Sequence, residues 1–256
     1  MVQKCKLSNK QRSRFTTVSL RSSLCKVGVI MALFDQSADG YDSWCKTKSG
    51  SFVDDLEKNL MKEVAQPKMG EKALDLGCGT GIYSYWLNKQ GLAVTGIDIS
   101  SGMLNVAKSK HGAENIEFLQ GYIEHLPFKD ETFDLIISNI VLEFTENPKE
   151  VVKEAMRVLK RGGRLVIGFI SKDSSWGKMY EEKGKKDANS VFASANFFGV
   201  EDINGLHQLQ PYKMKFGLFF SMNEFADKNN AMEIEEERRQ LKVNSNAGYI
   251  VARWDK

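Results

Sequence analysis

Five apolar runs of strand length are interleaved with amphipathic helical patterns over residues 72–170, and few folds accept that order. The runs are KALDL (72–76), LAVTGID (92–98), IEFLQG (116–121), TFDLIISNI (132–140) and RLVIGFI (164–170). The fourth has the continuous apolar character of a strand buried on both faces, as in a parallel sheet. GIYSYWLNKQG (81–91) reads as a helix stopped at Gly91, and SSGMLNVAKSK (100–110) as a helix that Ser100 or Ser101 can cap. ENPKEVVKEAMRVLKRGG (146–163) is the clearest helix, with Asn147 as cap, Pro148 in its first turn, and Gly162 and Gly163 at its end. Its apolar face is Val151, Val152, Ala155, Met156 and Leu159. Ahead of the first strand, Phe52, Val53, Leu56, Leu60, Met61 and Val64 fall at helical spacing. Strands alternating with helices in this way predict a parallel α/β sheet.

Beyond residue 170 the pattern loosens. Residues 172–209 are dense in aromatics and form either an ordinary connection or a lid over a site. YKMKFGLFF (212–220) reads as a strand, and AGYIVARW (247–254) as a seventh. In residues 223–243 acids precede bases, and Glu235 and Arg239 form an i,i+4 pair, a pattern that suits a solvated helix.

Three glycines, Gly77, Gly79 and Gly81, follow the first strand. A glycine-rich turn there lies at the carboxyl ends of the strands, where such sheets bind ligands. Its spacing matches neither the GxGxxG dinucleotide fingerprint nor a GK[ST] phosphate loop. Asp75, inside the first strand, would repel a pyrophosphate and suits a positively charged ligand such as an amino acid's ammonium. Asp98 ends the second strand, 17 residues past Gly81. A carboxylate there can accept hydrogen bonds from both hydroxyls of a ribose. Nucleoside plus ammonium without phosphate describes S-adenosylmethionine.

LDLGCGTG (74–81) with GIDIS (96–100) resembles the class I S-adenosylmethionine-dependent methyltransferases. LPFKDETFDLIIS (126–138) and EAMRVLKRGGRLVI (154–167) are similar to later segments of the same family. The resemblance covers roughly residues 31–171 in order, and looks most like the small-molecule group related to quinone and sterol methyltransferases. It implies a seven-stranded, mostly parallel, Rossmann-like α/β sheet with helices on both faces and the last strand antiparallel. It also implies transfer of a methyl group from S-adenosyl-L-methionine, leaving S-adenosyl-L-homocysteine. By the same resemblance Gly77 and Gly79 let the backbone approach the methionyl end, with Asp75 and Cys78 beside them. Asp98 holds the ribose, and Ile99 packs on the adenine with Met103 close by. The backbone of Ile123 meets the adenine ring, that of Asn139 borders the methyl group, and Tyr41 closes over the cofactor. Tyr122 stands where many relatives carry an acid that accepts from the adenine amino group. That contact falls to the Tyr122 phenol or to Glu124, or Tyr122 is a packed aromatic.

Methyl transfer from a sulfonium is an in-line displacement governed by alignment, and a base is needed only where the nucleophile must lose a proton. No catalytic triad is expected. Glu143, in SNIVLEF (138–144), is the candidate acceptor-side catalytic residue, able to accept a proton or attract a cation, or else a solvated helix carboxylate. His125, His111 and His207 suit structural or surface roles. Trp44, Trp176, Phe192, Phe197 and Phe198 lie in the two segments that would cover the site. They suit an apolar or cation-binding pocket, or the packing of a cap on the sheet. Trp44, Glu143 and Trp176 are the substrate-pocket candidates.

The charge is lopsided. Residues 1–30 hold seven basic residues and no acid, so of 36 basic residues 29 remain against 33 acids in residues 31–256. A mildly acidic body argues against a broad nucleic-acid surface, and SNIV in place of an Asn-Pro-Pro-Tyr-type motif argues against a planar base as acceptor. The basic tail reads as sequence upstream of a start at Met31, as a targeting segment, or as a functional arm. Residues 31–256 read as one domain. No apolar run near a terminus is long enough to span a bilayer, and no cysteine or histidine spacing suggests a metal. A reduced, cytoplasmic protein acting on a small-molecule acceptor is expected, with no nucleic-acid partner. The alternatives are a noncatalytic cofactor-binding module, a tRNA or protein methyltransferase using the tail, and an NAD-dependent oxidoreductase, which the glycine spacing and Asp75 oppose.

Overall fold

The computed structural model describes residues 34–35, 40, 42–241 and 243–256. The basic tail and Tyr41 therefore lie outside the described residues. Seven strands form one sheet: β1 (Lys72–Leu76), β2 (Ala93–Asp98), β3 (Ile116–Gln120), β4 (Phe133–Asn139), β5 (Leu159–Ile170), β6 (Lys213–Gly217) and β7 (Tyr249–Asp255). Their order is β3-β2-β1-β4-β5-β7-β6. Neighbours from β3 through β5 pair parallel, and β7 runs antiparallel to both β5 and β6. The chain moves outward from β1 to β2 and β3, then returns to place β4 on the other side of β1. The crevice between β1 and β4 is therefore the switch point at which open α/β sheets bind ligands.

Among the described residues these α-helices flank the sheet: α1 (Lys48–Ala65), α2 (Ile82–Asn88), α3 (Ser101–Ser109), α4 (Pro148–Val158), α5 (Ser175–Lys186), α6 (Val200–Asn204) and α7 (Lys228–Gln240). Strand side chains alternate between two cores, as the two-residue period dictates. Ala73, Val94, Leu135, Ile137, Val166, Tyr249 and Val251 pack with α1, α2 and α3 on one face. Leu74, Leu76, Ile136, Leu165, Ile167, Ile250 and Trp254 pack with α4 and α6 on the other.

Local signals explain the helix ends. The Ser100 hydroxyl caps α3 by accepting from Met103 N at 3.0 Å. Asp35 adds a carboxylate there, accepting from Gly102 N at 2.9 Å, where negative charge is favoured. Asn147 does not cap α4 with its side chain; Pro148 starts the helix instead. Nor do Gly162 and Gly163 end α4, which stops at Val158. Leu159 already pairs with Phe133, and the glycines lie inside β5 at a register irregularity, Gly162 with φ +74°. Early strand pairing wins over helix propensity, because Leu159 buries fully against the sheet. Helix α7 is not simply solvated. The Glu235 carboxylate is buried and accepts from Leu218 N at 3.1 Å and Phe219 N at 2.6 Å, while Arg239 reaches it at 3.1 Å. Among the described residues no helix is long and apolar enough to cross a membrane.

Candidate active site

The glycine loop is fastened before it meets any ligand. Gly77 N and Cys78 N both donate to Ile97 O, at 2.8 and 3.1 Å. Gly79 N donates to Asp98 Oδ2 at 2.8 Å, and Ser100 N to Asp98 Oδ1 at 2.8 Å. Gly77, Gly79 and Gly81 have φ of +68°, +52° and +82°, the left-handed region that glycine enters without a Cβ penalty. A Cβ on Gly79 would meet nothing within 4 Å, so the loop offers bare backbone to open space.

That space is a cavity of about 610 Å³, within the range of small-ligand sites. Gly77, Gly79, Asp98, Ile99, Met103, Tyr122, Ile123 and Asn139 all line it. Eight positions assigned from the sequence thus converge on one wall-to-wall site. Glu124 and His125 line it too, together with Phe34, Val141 and Phe144, which sequence reasoning missed. Burial raises the pKa of Asp98, against the hydrogen bonds from Ser100, Gly79 and Ile99 that hold it down.

A second cavity of about 330 Å³ shares Phe34, Gly77, Gly79, Asn139, Ile140 and Phe144 with the first. Asp75 and Cys78 line this one instead. Asp75 accepts from Ser84 Oγ at 2.6 Å. Burial pushes its carboxyl up to about 7, with the Ser84 bond opposing. Ile140 sits on the shared wall with φ +54°, a conformation that costs a β-branched residue and concentrates at functional sites. Trp44 lines the second cavity, as do Tyr180 and Lys183 of α5 and Phe192 of the following turn. Tyr180 and Phe192 stack with ring centroids 4.3 Å apart. Asn196 N donates to Glu143 O at 2.8 Å, which ties this aromatic roof to the segment after β4.

Two assigned substrate-pocket residues lie elsewhere. Trp176 is in the core and lines neither cavity. Its indole N–H donates to Phe220 O at 2.5 Å, and its ring lies where a Cβ on Gly248 would come within 2.3 Å, so the missing side chain at 248 admits it. Glu143 is neither solvated nor on a cavity wall; it is fully buried, with Oε1 accepting from Ile170 N at 2.8 Å and Oε2 unpaired among the described residues. The glutamate that does face the second cavity is Glu57 of α1, with Asp54 and Asp75 on the same lining. The sequence carried a signal for it: Glu57 interrupts the apolar stripe between Val53 and Met61, on the helix face that must be buried.

Known proteins resemble the chain over this same region. A family model for a methyltransferase domain matches residues 74–167. The chain is 39% identical over 173 residues to an uncharacterized protein of Methanocaldococcus jannaschii, covering 68% of this chain and 77% of that protein. It is 35% identical over 143 residues to a demethylmenaquinone methyltransferase of Clavibacter sepedonicus, covering 56% of this chain and 58% of that one. The matches span 49% to 66% of the length of these and other curated relatives with a named activity. A solved SAM-dependent methyltransferase of Thermotoga maritima shares the fold, with TM-score 0.69 at 24% identity, covering 88% of this chain and 98% of that one.

Proposed function

Starting from a chain that belongs to the class I S-adenosylmethionine-dependent methyltransferases, we propose that it methylates a small-molecule acceptor held in the second cavity. The observation that carries this reading is the shared wall. Gly77, Gly79, Asn139 and Ile140 border both cavities, so a cofactor in the larger one abuts an acceptor in the smaller. A volume of about 330 Å³ suits a compact organic molecule. The Clavibacter sepedonicus relative is named for a small-molecule acceptor, demethylmenaquinone.

The residues fit the cofactor. Bare backbone at Gly79 accommodates a close approach, and Asp98 stands at the β2 terminus for the ribose hydroxyls. Ile99, Met103 and Ile123 supply apolar wall for the adenine, with Tyr122 at the more open side. The bound cofactor supplies a methyl group on a sulfonium. The protein's task is then to hold the acceptor in line and exclude water, which the aromatic roof of Tyr180 and Phe192 serves.

Incubation with methyl-tritiated S-adenosylmethionine and a dialysed cell extract, recombined with its diffusible fraction, tests the reading. Label in diffusible products is expected. Label confined to tRNA or protein would overturn it, and would turn attention to the basic residues 1–30.

A further inference from the structure

Resting on that reading of the second cavity, we propose that the acceptor is an amine, bound as its ammonium ion by the carboxylate of Glu57. Glu57 is 8% exposed and lines the cavity. Its Oε2 accepts from Asn139 Nδ2 at 3.2 Å and from the Tyr83 hydroxyl at 3.4 Å. Among the described residues its Oε1 accepts no hydrogen bond, and no Lys or Arg forms an ion pair with it. A carboxylate this buried calls for a partner of opposite charge.

The surrounding groups do not supply one. On the same helix, Lys58 is engaged with Asp54 at 2.5 Å. Across the cavity, Lys183 lies 5.5 Å over the Phe192 ring. Behind Asn139 stands the Tyr249 hydroxyl, with the buried Glu143 beyond, and Asp54 and Asp75 line the same cavity. Burial pushes Glu57 up to about 8; the Asn139 bond opposes, Asp54 adds to the rise, and Tyr83 and Lys58 oppose. An arriving ammonium restores the charge that burial suppresses.

The walls select the same ligand. Trp44, Tyr83, Tyr180 and Phe192 are aromatic, and aromatic faces attract cations. An anionic acceptor would meet Asp54, Glu57 and Asp75 against Lys183, the one cationic side chain among the described residues of the lining. Asn139, which donates to Glu57, also lines the cofactor cavity, so a nitrogen held on Glu57 lies beside the wall the two cavities share.

The step balances with Glu57 as proton acceptor. The ammonium passes one proton to the carboxylate, and the freed lone pair forms the new N–C bond. The C–S bond of the sulfonium breaks, its electron pair stays on sulfur, and the methylated nitrogen carries the positive charge. Glu57 later returns its proton to water.

Three probes of one shape test this in the full chain saturated with S-adenosylhomocysteine: phenethylamine, 2-phenylethanol and phenylacetate. By titration calorimetry, phenethylamine is expected to bind roughly tenfold or more tightly than the other two. Its binding is expected to release a proton near neutral pH, read as a heat that depends on the buffer's ionisation enthalpy. Glu57→Gln, which can still accept from Asn139, is expected to abolish both the preference and the proton release while S-adenosylhomocysteine affinity holds. The wild-type ranking stands without any variant. Phenethylamine binding no tighter than phenylethanol, or a preference that persists in Glu57→Gln, overturns the proposal. Methylation of an alcohol or acid in the extract experiment, with no amine product, rejects the amine and keeps the small-molecule reading; label in macromolecules alone rejects that reading itself.

Discussion

Tyr249 on the antiparallel strand β7 donates its hydroxyl to the side-chain oxygen of Asn139 at the end of β4. With its oxygen so engaged, the Asn139 amide turns its Nδ2 toward Glu57. Strand β5 lies between the two, and the contact exists only because residue 168 lacks a side chain. A Cβ on Gly168 would lie 2.1 Å from Tyr249 Oη and 2.2 Å from Asn139 Oδ1. Gly168→Ala is therefore expected to cost about 1–3 kcal/mol, lowering Tm by roughly 3–10 °C, and to impair methyl transfer more than cofactor binding. Tyr249→Phe removes the hydroxyl alone and should cost about 1–2 kcal/mol. Thermal melts with paired S-adenosylhomocysteine titrations check both; an unchanged melt for Gly168→Ala would mean that the contact yields freely.

Much of this architecture was legible in the chain. The alternation from KALDL to RLVIGFI predicts the parallel strands because strand-length apolar runs are interleaved with amphipathic helical patterns, and the glycine loop and Asp98 mark the cofactor cavity because both lie at strand ends. The acceptor side was harder to read. Glu57 belongs to a helix that precedes the motifs, and only the conflict between its charge and its place in an apolar stripe betrays it. Gly168 carried a similar signal, since glycine inside a strand marks a close approach. Trp176 and Glu143 misled because proximity in sequence to the strand ends does not fix which way a side chain faces; both point into packing between elements that meet only in three dimensions.

Gly77 and Gly79 should respond differently to the same substitution. Both have positive φ, so alanine costs about 1–2 kcal/mol of backbone strain at either position. At Gly77 the new Cβ would also fall 2.4 Å from Val141 Cγ1, whereas at Gly79 it would enter the open cavity. Gly77→Ala is expected to lose a further 1–3 kcal/mol or so of stability. Gly79→Ala should lose less stability yet bind S-adenosylhomocysteine at least about tenfold more weakly. Urea denaturation and calorimetry on the two variants separate these effects, and equal destabilisation would refute the distinction.

Asp98→Asn tests the anchoring of the loop. The carboxylate accepts from Gly79 N and Ser100 N through its two oxygens. An amide keeps one acceptor and turns an N–H₂ group against an N–H donor. Stability should fall by about 1–3 kcal/mol, and S-adenosylhomocysteine affinity by roughly tenfold or more. Retention of full affinity would remove Asp98 from the ribose site.

Glu143 sets a pH dependence whose sign follows from its burial. Desolvation pushes its carboxyl up to about 8 from an ordinary 4.5; the Ile170 N–H and its own backbone oppose this, and the nearby Glu57 carboxylate adds to it. Between those values the folded protein holds a proton that the unfolded chain releases, so stability falls as pH rises. The contribution is whole below about 4.5 and is lost by the time the pH has passed 8, at a rate of up to about 1.4 kcal/mol per pH unit. Glu57, raised by burial to about 8, slopes the same way. Glu143→Gln cannot ionise and can still accept from Ile170 N. It should narrow the gap between urea-unfolding free energies measured at pH 5 and pH 8 without closing it, because Glu57 keeps its share. A gap as wide as in the wild type would show that Glu143 does not hold the proton.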